Sequence, residues 1–210
     1  MKLSIEFNKP EAITGHDWQL SQEVNVKNEA GDVIAKAEIE LLTLNKHRDA
    51  LATYKLLADE ETDWEIPLNI YFKKQNLTED LCKELHVAAS TKAQTHILVE
   101  AISVLPQYRR QGVGQYLLQE IAKKHEKIQS ITVLSLAMNT FVDAENCETE
   151  ANQTYYQQLD LANETLGRTE LAQYFVNNGF TAINVDEEQL IEPLTFDVFV
   201  ASPNSILAIK

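Results

Sequence analysis

The sequence predicts an α/β protein built on a mixed central sheet, and three stretches carry that prediction. Residues 96–105 are apolar almost throughout, as a strand buried on both faces should be, apart from Glu100 and Ser103. After a turn, residues 112–128 place Val113, Leu117, Leu118, Ile121 and Ala122 at helical spacing, and residues 131–138 form a second apolar strand. Strand, helix and strand in that order make a right-handed crossover between parallel neighbours, with the helix on one face of the sheet. Upstream, residues 18–26 and 33–44 read as a hairpin, so antiparallel strands extend the parallel pair.

Taken in order, residues 3–7 alternate as a first strand before turns marked by Pro10 and Gly15. The hairpin turns through residues 28–32, where Gly31 can take a positive φ. Its second strand alternates Ile39 and Leu41 with Glu38 and Glu40, which suggests one solvated face. Residues 47–59 predict a helix with Leu51, Tyr54, Lys55 and Ala58 along one side. Residues 78–90 predict another: Thr78 is the N-cap candidate, Glu79 and Asp80 suit the dipole, and Leu81, Leu85 and Ala88 form the stripe. Between them, residues 64–72 are rich in aromatic and β-branched side chains and read as strand or loop. Residues 164–177 predict a helix through Leu171, Tyr174 and Phe175, stopped at Asn178-Gly179 by a left-handed cap. Residues 180–185 and 194–201 then read as closing antiparallel strands, joined by an acidic connection at 186–192.

A chain of 210 residues, 44% hydrophobic, can bury one sizeable core, and a single domain spanning 1–210 is expected. No apolar run approaches the ~20 residues that span a bilayer. The first residues carry a charge inside a short apolar stretch and lack a secretory core, so a cytoplasmic location is expected, with no membrane partner. Cys82 and Cys147 are far apart and read as two reduced thiols, and the five histidines show no ligand spacing, so no metal is expected. A formal charge of −14 argues against nucleic acid and against a polyanionic ligand. Between residues 128 and 210 the only cations are Arg168 and Lys210, a distribution that could steer a cationic amine towards a cleft.

The turn itself, Gln107-Tyr108-Arg109-Arg110-Gln111-Gly112-Val113-Gly114, joins the buried strand to the amphipathic helix. A P-loop would need Lys-Ser or Lys-Thr after its second glycine, and Gly114 is followed by Gln115 and Tyr116. A dinucleotide fingerprint would want a small residue where Leu117 stands. What remains is Arg-x-x-Gly-x-Gly opening a helix, whose free N–H groups suit a pyrophosphate. Here the chain resembles the GNAT superfamily of N-acetyltransferases. Arg109, Gly112 and Gly114 match its acetyl-CoA signature, the strands at 96–105 and 131–139 flank it in the right order, and residues 171–180 resemble the late helix with its Asn-Asn-Gly-Phe exit.

The resemblance implies a GNAT-like fold, a mixed central sheet whose parallel strands splay apart, flanked by helices. It implies acetyl-CoA as co-substrate and a small-molecule or protein amine as acceptor, a cationic one being favoured by the charge. A homodimer stays open. Arg109, Arg110, Gln111, Gly112, Val113 and Gly114 would take the pyrophosphate, Val104 would lie with its backbone beside the thioester, and Asn139 would meet the pantetheine arm. Transfer to an amine needs a base, because an alkyl amine with pKa ~10 is mostly protonated at neutral pH. Glu100, the sole carboxylate of an apolar strand, is the candidate; His96 reads as structural. The tyrosine that protonates the thiolate in many relatives falls here on Phe175. Tyr174 beside it is the catalytic candidate, though turned about 100° away on the helix, and Tyr155, Tyr156 or water could substitute.

Two departures from the family accompany these expectations. The N-terminal half, 1–95, is a variant whose predicted helices lie ahead of the central strand. Residues 140–165, with Asp143, Glu145, Glu148, Glu150, Asp160, Glu164 and no cation, form an acidic insertion at the mouth of the site, read as a surface loop in preference to a lid. Direct attack in a ternary complex is the expected mechanism. A GNAT-like module that binds acyl-CoA as a sensor or interaction partner without turnover is the alternative, and an acidic α/β interaction protein without CoA is a third.

Overall fold

The computed structural model describes residues 1–13, 16–44, 57, 63–64, 67–68, 72–73, 76–87, 94–135, 149–159, 168–183 and 197–210. Along the chain these form β1 (Ser4–Phe7), β2 (Glu11–Ile13), β3 (His16–Lys27), β4 (Val33–Leu44), β5 (Phe72–Lys73), β6 (Asn76–Leu77), α1 (Glu79–Glu84) and β7 (Gln94–Val104). A 3-10 turn (Pro106–Tyr108) leads to α2 (Val113–Lys124), β8 (Ser130–Ser135), α3 (Glu150–Gln157), α4 (Arg168–Asn177), β9 (Thr181–Ile183), β10 (Asp197–Ala201) and α5 (Pro203–Leu207).

The main sheet runs β1-β3-β4-β7-β8-β10-β9, with β2 paired to the edge of β3. Only β7 and β8 are parallel, and α2 is the crossover between them. The mixed sheet flanked by helices is the architecture expected from the sequence. The β3–β4 hairpin closes as its turn chemistry demands: Asn28 Oδ1 accepts from the backbone of Ala30 at 2.9 Å and Asp32 at 3.0 Å, and Gly31 sits at φ 89°.

Two apolar cores lie on opposite faces. Under α2 and α4, Ile39, Ile97, Val99, Leu117, Ile121, Phe175 and Phe199 pack together, with α5 contributing Ile206. On the other face Trp18, Leu42, Leu57, Trp64, Leu81, Leu98 and Val200 form the second. Thr78 caps α1 through its Oγ1, accepting from Leu81 N at 3.4 Å, but the helix closes at Leu85, earlier than residue 90.

Three expectations need correction. The acidic stretch at 140–165 is not a plain loop where it is described: Thr149 caps α3, which buries Tyr155, Tyr156 and, just beyond it, Leu159. The two tyrosines supply apolar area that the run of acidic residues conceals. The alternating face of β4 is not solvated either, because Glu40 is 7% and Lys36 6% exposed. Finally, α5 follows β10 where no helix was expected, with Pro203 at its first turn and Ser202 accepting from Ser205 N at 3.1 Å. The helix expected at 47–59 lies outside the described residues apart from Leu57, which is helical and buried. Most of 64–72, the end of the strand at 136–138 and the connection at 186–192 also lie outside them.

Candidate active site

β7 pairs with β4 along its length but with β8 only from His96–Ser130 to Val99–Val133. Both strands continue, to Val104 and Ser135, so they part beyond Val99, and the edge of β7 towards β8 has no strand partner there among the described residues. At the same point the register against β4 slips: Glu38 faces Ala101 and Ile39 faces Val99, which leaves Glu100 as the extra residue of a β-bulge. Ahead of the bulge Ile97 and Val99 face the α2 side and Leu98 the other. Past it, Ile102 and Val104 pack on the α2 side.

The bulge delivers Glu100 to the face opposite α2, beside the carboxylates of β4. Its pKa is pushed up to about 9, first by burial, then by the charge of Glu40 and a side-chain hydrogen bond with it, then by Asp63 and Glu38. Glu40 is itself held by two neutral donors, Trp64 Nε1 at 2.7 Å and Gln19 Nε2 at 3.1 Å. Glu38 accepts from the Tyr156 hydroxyl at 3.0 Å. The salt bridges among the described residues lie elsewhere and bring no cation to Glu38, Glu40 or Glu100.

α3 closes the upper end of this face. The Tyr155 hydroxyl shares a 3.0 Å hydrogen bond with Ser103 Oγ and donates to the Ser103 carbonyl at 3.3 Å; burial pushes its pKa up to about 12. Lys36 Nζ donates to Asn152 Oδ1, pairs with Glu23 at 3.4 Å and lies 5.1 Å from the Tyr155 ring centroid. A cavity of about 350 Å³ opens beside α3, among Lys36, Leu105, Tyr108 and Tyr155. A second, of about 490 Å³, lies at the far end of α2 near Lys123 and Lys127, remote from the turn. Glu100 lines neither.

At the turn, the chain reverses with Arg110 at φ 59° and Gly112 at φ 80°. Gly112 caps α2 without a side-chain acceptor, so the first helical N–H groups are open to a ligand. Arg110, Gln111 and Gly112 are exposed, and a Cβ on Gly112 would meet nothing within 4 Å. This open, uncapped helix start fits the pyrophosphate of acetyl-CoA. Val113 is buried under the helix, so only its N–H is offered. Gly114 answers a different need: a Cβ there would lie 2.5 Å from the Tyr174 hydroxyl. Arg109 turns inward, its Nε donating to Val104 O at 2.7 Å and Nη2 to Leu159 O at 3.5 Å. It therefore ties the end of β7 to the end of α3, with its fork directed away from the helix start.

The two residues expected to be catalytic are not brought together. Tyr174 belongs to the α2-side core with its hydroxyl against Gly114, and burial raises its pKa, whereas Glu100 lies with Glu40 on the opposite face. Phe175 is a core residue, 2% exposed, with its ring centroid 5.6 Å from that of Phe180 and 5.4 Å from that of Phe199. Val104 packs its side chain on the same core and offers its carbonyl to Arg109. Asn139 lies outside the described residues. His96 is fully buried, bonded through Nδ1 to Ser130 Oγ at 2.9 Å, with its pKa lowered to about 3 by burial, so it is a neutral core residue. Sequence reasoning passed over Gln19, Glu38, Glu40, Asp63, Trp64 and Ser103. The carboxylates at 38 and 40 were visible as an alternation, but nothing local said that the face was covered.

Residues 79–160 match the family model described as "Acetyltransferase (GNAT) domain". Solved structures with a similar fold include an acetyltransferase of the GNAT family from Staphylococcus aureus, at 14% identity over 87% of this chain and 68% of that one, TM-score 0.36. A Drosophila melanogaster polyamine N-acetyltransferase shares 15% identity over 86% and 74% of the two chains, TM-score 0.36. Arabidopsis thaliana NAA60, solved in complex with acetyl-CoA, shares 10% over 86% and 73%, TM-score 0.36. No curated protein matches the chain.

Proposed function

We propose that the chain transfers an acetyl group from acetyl-CoA to a primary amine by direct attack in a ternary complex, a reading supported by the match of residues 79–160 to the GNAT acetyltransferase domain. The observation that supports this most is the parting of β7 from β8 directly at the bulge that presents Glu100. One opening gives a carbonyl-polarising strand edge and a carboxyl on the same few residues.

Bound acetyl-CoA supplies the activated acyl group; the chain supplies position and proton handling. Exposed Arg110 and the open N–H groups at the start of α2 hold the pyrophosphate. Backbone N–H groups on the free edge of β7 polarise the thioester carbonyl. The ionised Glu100 carboxylate takes a proton from the amine as the new C–N bond forms and the C–S bond breaks. The departing thiolate needs a proton in return. Tyr155, on α3 and bonded to Ser103 of β7, and Tyr174, on α4 with its hydroxyl against Gly114, are the candidate donors. The chain then acts on soluble small amines or protein amino groups, with no metal.

Calorimetric titration with acetyl-CoA, followed by thiol release in the presence of primary amines, tests the reading. Saturable binding weakened by Arg110→Ala, with amine-dependent thiol release lost in Glu100→Gln, is the expected outcome. Binding without thiol release for any amine would leave the acyl-CoA sensor; absence of binding would remove both.

A further inference from the structure

Of all the side-chain groups in the fold, the acidic one on the β4–β7 face is the least explained by folding itself. Glu38, Glu40, Asp63 and Glu100 converge there, and among the described residues no salt bridge brings a cation to Glu38, Glu40 or Glu100. A second observation is independent of the charges. Gln19 is fully buried, its Nε2 is used on Glu40, and its Oε1 has no partner. A buried acceptor left unmade costs about 1–3 kcal/mol, and folding alone gives no return for it. An ionised carboxylate and an amide oxygen only accept, whereas an alkylammonium offers three donors and no acceptor. No set of three ligands suited to a metal ion occurs among the described residues.

We infer that the acceptor is a small diamine or longer polyamine, with one nitrogen at Glu100 below the open edge of β7 and a remote ammonium held by Glu40, Glu38 and the amide oxygen of Gln19. This rests on the acetyltransferase reading for the reacting nitrogen only. Glu38 and Glu40 stand two residues apart on one strand face, about 7 Å, which suits a slender chain carrying charge at intervals. The donors already on these carboxylates, from Trp64, Gln19 and Tyr156, fix their direction without neutralising them.

The test compares 1,4-diaminobutane, n-butylamine and a lysine-containing peptide as acceptors, by kcat/KM for thiol release from acetyl-CoA. In parallel, diaminobutane is titrated into protein saturated with free coenzyme A and followed by tryptophan fluorescence, since Trp64 bonds Glu40 directly. The expected result is a preference for the diamine over the monoamine of about tenfold, one charge-assisted contact, falling towards unity in Glu40→Gln and in Glu38→Gln. Equal efficiency for diamine and monoamine, or a peptide preferred to both, would overturn the cation site while leaving acetyl transfer intact. Diamine binding that Glu40→Gln removes, with no turnover of any amine, would keep the site and overturn the catalytic reading. Neither binding nor turnover would remove both.

Discussion

A carboxyl kept neutral up to about pH 9 makes folding and turnover respond to pH in opposite senses. The folded pKa of Glu100 lies above its ordinary 4.5, so its contribution to stability is complete below that value and is lost as pH rises towards about 9. Glu40, Asp63 and Glu38 all face it and all act in the same direction. Glu100→Gln should therefore raise the melting temperature at pH 8, by about 2–4 °C for each kcal/mol relieved, and leave it nearly unchanged at pH 4. In the wild type kcat/KM should climb with pH towards about 9, and that limb should vanish in the variant. A second residue-scale prediction concerns packing. Gly114→Ala puts a methyl 2.5 Å from the Tyr174 hydroxyl and should cost about 1–3 kcal/mol in denaturant unfolding. Tyr174→Phe removes that oxygen and leaves the ring at 3.3 Å, so the double variant should recover most of the loss; additive losses would show that the two do not meet.

At the scale of elements, α3 is the piece whose role was least legible. Its sequence is dominated by acid and amide residues, and the part that docks it, Tyr155, Tyr156 and Leu159, is too short to set a helical period against that background. By contrast β7, α2 and β8 could be read directly, because a strand buried on both faces and a helix with one apolar stripe each announce their period. The Gly-x-Gly turn was legible as a pattern but not in its division of labour: Gly112 serves the reversal of the chain and Gly114 the approach of Tyr174. Arg109 likewise looked like a ligand for phosphate and is found holding Val104 O and Leu159 O. Arg109→Ala should then loosen α3, seen as faster amide exchange over residues 150–157, at a cost of about 1.5–3 kcal/mol per charged hydrogen bond lost. Arg110→Ala should leave that exchange unchanged and weaken acetyl-CoA instead.

For the molecule as a whole, the formal charge of −14 sets a field that the two proposed ligands would feel with opposite sign. A cationic acceptor would be drawn in and an anionic acyl-CoA opposed, except where the arginine turn and the helix start reverse the potential locally. Raising ionic strength from about 20 to 300 mM shortens the screening length several-fold, so KM for a diamine should rise while the affinity for acetyl-CoA falls less or improves. Steady-state kinetics across that range checks it; identical salt dependence for the two ligands would show that the overall charge does not reach the site.

The bulge at Glu100 shifts the phase of β7. Below it the odd positions, Ile97 and Val99, insulate the sheet against α2; above it the even positions, Ile102 and Val104, take over that duty and Ser103 faces Tyr155. Forcing residue 100 into regular pairing, with the bulge lost and no residue deleted, would thus disturb more than one carboxyl. It would carry the odd-even alternation of the lower half upward, turn Ser103 towards the α2 core and Ile102 towards the carboxylates, and exchange the two faces of the strand at the point where it opens.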